Sequence, residues 1–330
     1  MHTKVVNGNI GLIKTSVLFL AAVLLVLASA YTPADAAANE KVLSWAGCGI
    51  SKKAFMGEMA KAFEKKTGVK IDLKGGGATR GIREVSNGTR DLGGACRHTL
   101  SSGGVLGSNP LERRVRMDPV AWDALVVMVH KDNPVDDISM SQLRQVYLGK
   151  ITNWKQLGGK DAPIDLYVRK GNISGVGRTI RELIFANYDQ EFTSTAKVVK
   201  SSGPLEKAIA TTAVNGMGIT GVSSARKRDA KLLKINGKYP SYDNIKNGDY
   251  LLYRPLYLVT NLENTDKDVH AFIAFVHSNE GRKIMRKNGT VPYEDAIGLW
   301  LKYLESVRKA QERAHPNRTC VVRRFNVSTV

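Results

Sequence analysis

The chain has 330 residues, 43% of them hydrophobic and 24% charged, and its 49 Lys and Arg against 30 Asp and Glu leave a net charge of +19. That length supports two compact domains, and three cysteines, Cys48, Cys96 and Cys320, are too few for a disulfide framework. So basic a chain attracts anions, while export, read from the first residues below, disfavours nucleic acid as the target.

Residues 1–36 read as a cleaved secretory signal. Lys4 and Lys14 flank the start, the run 17–27 is apolar, and Ala34-Asp35-Ala36 supplies the small-residue cleavage site. The run is shorter than the roughly 18–20 residues of a spanning helix, so a retained anchor ranks second. The mature protein is expected to be periplasmic, soluble and monomeric. Next comes "KVLSWAGCGIS" (41–51), a strand at 42–45 that runs into a glycine turn, with Ser51 as the expected cap of a helix carrying Phe55, Met59 and Phe63 on one face. "VKIDL" (69–73) is a second strand; "KGGGATRG" turns, and Ile82 and Val85 mark a short helix that stops at Asn87-Gly88. A third strand, "APIDLYV" (162–168), leads through "RKGNISGVG" to a helix at 178–185.

Two long apolar strands, 119–130 and 250–260, enclose a stretch with its own helices at 139–149 and around 204–210. Phe272, Phe275, Val276 and Ile284 form a later amphipathic stripe. Strands alternating with helices predict an α/β fold with largely parallel sheets. The economical layout is two lobes, 39–120 plus 258–305 and 121–257, followed by a basic tail at 306–330. The chain crosses between the lobes near residues 118–120 and 254–257, making a hinge beside a cleft.

The three glycine-rich turns carry the chemistry. Each opens a helix, where unpaired N–H donors and the helix dipole favour an anion by about 0.3–1 kcal/mol. Arg169 ends the third strand and Arg97 follows "GGAC"; either guanidinium can grip an oxyanion through paired hydrogen bonds or sit in a salt bridge. There is no G-x-S-x-G, no histidine cluster and no evident carboxylate couple, so an enzyme is not expected, and neither a metal nor a cofactor is called for.

At "GGGATRGIREVSNGTRDLGGACRHTL" (75–100), "LGKITNW" (148–154), "YRPLYLVTN" (253–261) and "FIAFVHSNEGRKIMRKNGTVPY" (272–293), the chain resembles the phosphate-type, type II periplasmic binding proteins of ABC importers. The likeness runs over about residues 41–294. It implies a two-lobed clamshell with two hinge crossovers that closes on a small oxyanion, phosphate first, and passes it to an ABC permease in the inner membrane. It also implies a ligand set. The first loop contributes Cys48, Gly49 and Ile50, and the second Ala78 and Thr79. Cys96 and Arg97 follow the next strand, and the third loop offers Arg169, Ser174, Gly175 and Val176. Gly49 and Ala78 stand where the family offers hydroxyls, and Arg97 where it offers an acid or arginine. Each lost hydrogen bond to a charged ligand removes about 1.5–3 kcal/mol. Two other readings therefore stay open: a periplasmic sensor or scaffold of the same fold, and a Cys48/Cys96-dependent metal or metalloid binder aided by His98. The two cysteines themselves read as buried small side chains, a disulfide or thiol ligands.

Overall fold

The apolar run after the expected signal forms β1 (Val42–Gly47), with Leu43 and Trp45 buried. The computed structural model describes residues 1–2, 41–102, 105 and 107–314. Residues 3–36 of the expected signal, residues 315–330 of the expected tail, and Cys320 with them, lie outside the described residues. No described helix is long and apolar enough to cross a membrane.

Helix α1 runs without a break through Gly49–Ser51, Lys52–Met56 and Gly57–Thr67, its middle segment wound in the wider π geometry. Phe55, Met59 and Phe63 form its buried face as the four-residue spacing predicts, and Phe63 meets Phe272 edge-on at 5.2 Å. Strand β2 (Lys70–Lys74) pairs parallel with one side of β1, and β3 (Leu92–Ala95) with the other. Between them, α2 (Ala78–Ser86) lies directly on β1. A Cβ at Gly81 would stand 2.6 Å from the Ala46 carbonyl oxygen, so only glycine lets the helix pack this close.

Strand β4 (Val115–Val129) is the long apolar strand. Beyond it come β5 (Asp137–Ile138), α3 (Met140–Tyr147) with its Ser139/Gln142 capping box, and β6 (Asp165–Arg169). Helix α4 (Gly175–Ile180) continues in π geometry through Arg181–Phe185. Then follow β7 (Lys197–Val199), α5 (Ser202–Thr211), β8 (Gly216–Gly221), α6 (Val222–Ala225), β9 (Lys231–Leu232), β10 (Lys234–Ile235) and α7 (Tyr242–Lys246). The chain returns along β11 (Tyr253–Asn261) and closes with α8 (Lys267–His277), α9 (Asn279–Lys287), β12 (Val291–Pro292) and α10 (Leu299–Ala314).

The strands run in the order β2-β1-β3-β11-β4-β8-β6-β7. β4 belongs to both halves: residues up to Ala124 pair antiparallel with β11, and from Leu125 onward they pair with β8. The unit from Val42 on is therefore a two-lobed α/β fold whose halves share one strand. The exchange of partner at Ala124–Leu125 falls a few residues beyond the crossing placed at 118–120. The second expected crossing coincides with a register shift between Leu256 and Tyr257 of β11. Residues 306–314, read from the sequence as the start of a tail, continue α10 instead. Val307 and Ala310 are buried there, because their spacing from Tyr303 keeps one apolar face turned inward.

Candidate functional site

The first two helix starts and the end of β3 meet at a pair of cysteines. Cys48 is the N-cap residue of α1, and Cys96 follows β3 by one residue. Both residues lie just past the paired ends of their strands, Cys48 one residue beyond Gly47 and Cys96 two beyond its register partner Gly94, and there their sulfurs lie 2.8 Å apart, unbonded and buried. The hydrogen bond from Cys96 pulls the Cys48 thiol down to about 6; burial opposes this, while Arg254 and the Ser51 and Ile50 N–H groups assist it. The same bond, with burial, pushes Cys96 well above the ordinary thiol range. The pair thus favours Cys48 as the side that ionises and Cys96 as the side that keeps its proton. Ultraviolet titration of the reduced protein should show thiolate absorbance rising with a midpoint near the value given for Cys48, and Cys48→Ser should remove that component.

Ser51 is not the cap expected from the sequence. It lies inside the first turn, fully buried, and its Oγ finds no partner among the described residues. Cys48 takes the cap position because its backbone is the last extended residue before the helix. Gly49 is exposed, and Ile50 packs against Gly221 at the end of β8. In the third loop Ser174 caps α4, its oxygen accepting from the Gly177 N–H at 3.1 Å, so that its hydroxyl proton can still be donated. Gly175 touches Cys96 and Ala78 across the cleft, and Val176 is buried beside it.

Arg97 has a role of a different kind. Its Nε donates to the Ile173 carbonyl at 2.8 Å, its two terminal nitrogens bind Glu112 at 2.9 and 2.8 Å, and the remaining donors reach His98 O and Thr79 Oγ1. All five N–H donors of the guanidinium are committed to protein acceptors. Thr79 is likewise engaged, donating to the Ile173 carbonyl at 2.9 Å. These residues tie the second loop to the third; they offer no free donor in this arrangement. Lys53 makes a second tie, reaching Glu206 at 3.3 Å and Ser224 at 2.9 Å across the cleft.

Arg169 sends its terminal nitrogens to Ser202 Oγ and the Lys200 carbonyl, and its buried Nε is unpartnered among the described residues. Arg254 is the residue that the sequence reading passed over. It is fully buried in β11, directly opposite Asp123 of β4 in the strand register. Its contacts to Asp123, to the carbonyls of Cys96 and Gly175 and to Thr179 are long, 3.4–3.5 Å, and its Nε has no partner among the described residues. Asp123 is held by the Ser223 N–H and hydroxyl. The signal was available: a charged residue interrupts each of the two longest apolar strands, and buried charges of this kind are placed for a purpose.

His98 faces away from the thiols. It stacks on Tyr303 of α10 at 5.2 Å, with Tyr257 and Trp300 completing an aromatic surround. Burial, reinforced by Arg178 and Arg97, lowers it to about 3, so it is neutral at every physiological pH. Among the described residues no three His, Cys, Asp or Glu side chains gather as a metal site, so the thiol pair gains no third ligand from His98.

Residues 46–280 match the family model described as the PBP superfamily domain. The phosphate-binding protein PstS of Borreliella burgdorferi is 27% identical over 259 residues, which span 76% of this chain and 90% of that protein. PstS of Bacillus subtilis is also 27% identical, over 71% of this chain and 75% of its own length. Among solved structures, a Clostridium perfringens protein described as a phosphate ABC transporter substrate-binding protein, with phosphate bound, superposes with a TM-score of 0.68. It is 28% identical, and the match covers 76% of this chain and 99% of that one. A phosphate transport receptor from Vibrio cholerae shares the fold, with a TM-score of 0.58 at 24% identity over 76% of this chain and 100% of its own.

Proposed function

The chain belongs to the PBP superfamily, and from that membership we propose that it captures phosphate, or a small oxyanion like it, between its two lobes for an ABC importer. It is a binding protein and not an enzyme. The observation that carries this reading is a set of three buried polar atoms without partners among the described residues: Ser51 Oγ in the first turn of α1, Arg169 Nε at the end of β6, and Arg254 Nε, whose guanidinium lies beside the Cys96 and Gly175 carbonyls. Orphaned donors in a dry site cost free energy unless something accepts from them, and an oxyanion has the acceptors. In this reading Arg169, Ser174 and the N–H groups at Gly49 and Gly175 hold the ligand, Arg254 supplies charge from the hinge side, and the Ile50 N–H is turned to the Cys48 sulfur. Ala78 and Val176 shape the pocket without donating, and Arg97 with Thr79 positions the loops.

The same reading covers the rest of the protein's life. The segment 1–36 directs export and is removed, the lobes close about β4 and β11, and the monomer docks on a permease in the inner membrane. Calorimetric titration of stripped protein with inorganic phosphate should give saturable heat. An absence of heat at millimolar phosphate would remove phosphate from the reading.

A further inference from the structure

The thiol pair is not explained by anion capture. A thiolate at Cys48 puts a negative charge at the start of α1, among the donors on which the proposed function depends. Two small apolar side chains would fill the same space without that conflict. The geometry is that of a pair ready to be joined. Gly47 and Gly94 are register partners, and the Cys48 N–H donates to the Gly94 carbonyl at 2.9 Å. Cys48 and Cys96 follow them by one and two residues, and their sulfurs stand 2.8 Å apart, so that a small approach brings them to the roughly 2.05 Å of a disulfide. Arg254 and Arg169 both lie near enough to bear on the two thiols, a cationic setting that favours a reactive thiolate.

We propose that Cys48 and Cys96 form a reversible disulfide site, and that its redox state sets the anion affinity of the cleft. The second half of this proposal rests on the reading of the cleft as an oxyanion site. The oxidant is an organic disulfide, from glutathione or from a thiol–disulfide exchange protein. The Cys48 thiolate attacks one sulfur of that disulfide, the S–S bond breaks, and one thiolate leaves. The Cys96 thiol loses its proton and attacks Cys48 Sγ, and the second thiolate leaves. Two electrons pass to the oxidant, which departs as one thiol and one thiolate. Attack requires the lobes to part, because Gly175 lies over Cys96 when they are together. The dithiol form carries a negative charge at the mouth of α1; the disulfide form carries none. Oxidation therefore removes a built-in competitor for the anion and takes one negative charge away from Arg169 and Arg254.

The test uses full mature protein carrying Cys320→Ser, treated with oxidised glutathione or with a reductant. Peptide mapping is expected to show a Cys48–Cys96 link and an intact mass lower by two hydrogens. Two thiols still open to alkylation, or glutathione retained on one of them, would overturn the site. Phosphate titration is expected to give binding about tenfold or more tighter in the oxidised form, a difference that Cys48→Ser abolishes. Equal affinities in the two forms would overturn the coupling. If the link forms and neither form binds phosphate, the modification site stands, its coupling to phosphate is overturned, and the phosphate reading falls separately.

Discussion

Replacing Arg97 with methionine is expected to destabilise the protein by about 3–5 kcal/mol, the usual cost of leaving one member of a buried ion pair behind. Glu112 is fully buried, and its carboxylate also takes the Leu100 N–H at 2.9 Å and a longer 3.3 Å contact from Arg83. Burial alone would raise its pKa, yet the Arg97 bonds hold it below the ordinary glutamate value. A lowered folded pKa contributes stability that is complete above the unfolded value and is lost as the pH falls through the folded one. The gap between the parent and Arg97→Met should therefore be widest near neutrality and shrink in acid, where the variant's Glu112 is protonated. Urea unfolding across that range measures it. Adding Glu112→Leu should recover most of the loss, since a well-packed apolar pair is about as stable as a buried ion pair. If the single variant loses less than about 1 kcal/mol, or the double variant recovers nothing, the pair is not what holds this corner.

Gly175→Ala is expected to weaken anion binding by about tenfold to a hundredfold while leaving the thermal stability of the unliganded protein nearly unchanged. A Cβ at Gly175 would press into Cys96 Sγ and sit 3.3 Å from the Ala78 Cβ. Overpacking of this kind costs about 1–3 kcal/mol, and each 1.4 kcal/mol is about tenfold in affinity. The contact exists only when the lobes meet, so the cost falls on the closed form and not on either lobe alone. Small-angle scattering with saturating ligand should find the variant more open than its parent. Removing the obstructing sulfur in Gly175→Ala/Cys96→Ala should restore part of the affinity. A Gly175→Ala protein that binds and closes like the parent would show that the third loop does not come this near to Cys96 during capture.

Much of the fold was legible because its signals are local. The Phe55, Met59 and Phe63 spacing, the "VKIDL" alternation and the glycines before α2 and α4 each answer to short-range physics. The site was legible as three loops, but their division of labour was not. Arg97 reads in the sequence like a ligand grip, and nothing nearby in the chain announces that Glu112, fifteen residues on, absorbs its guanidinium. Arg254 read as part of a hinge strand, because its partner Asp123 is 131 residues away. The end of the chain misled for a similar reason. Residues 306–314 look basic and unpatterned alone; they continue the helix that Trp300 and Tyr303 anchor against His98 and Trp122, which brings Val307 and Ala310 onto the same buried face.

The position of β11 also governs when the molecule can become itself. It lies between β3 and β4, so the sheet that carries β1 to β4 has a missing central rung until Tyr253–Asn261 has been made. The final aromatic wall waits longer still, for α10. An emerging chain can complete the half built on β6 and β8 while its own beginning stays unfinished. Contacts that join such distant segments form late and slowly. This ordering leaves the leading strands without their central partner until synthesis is almost over.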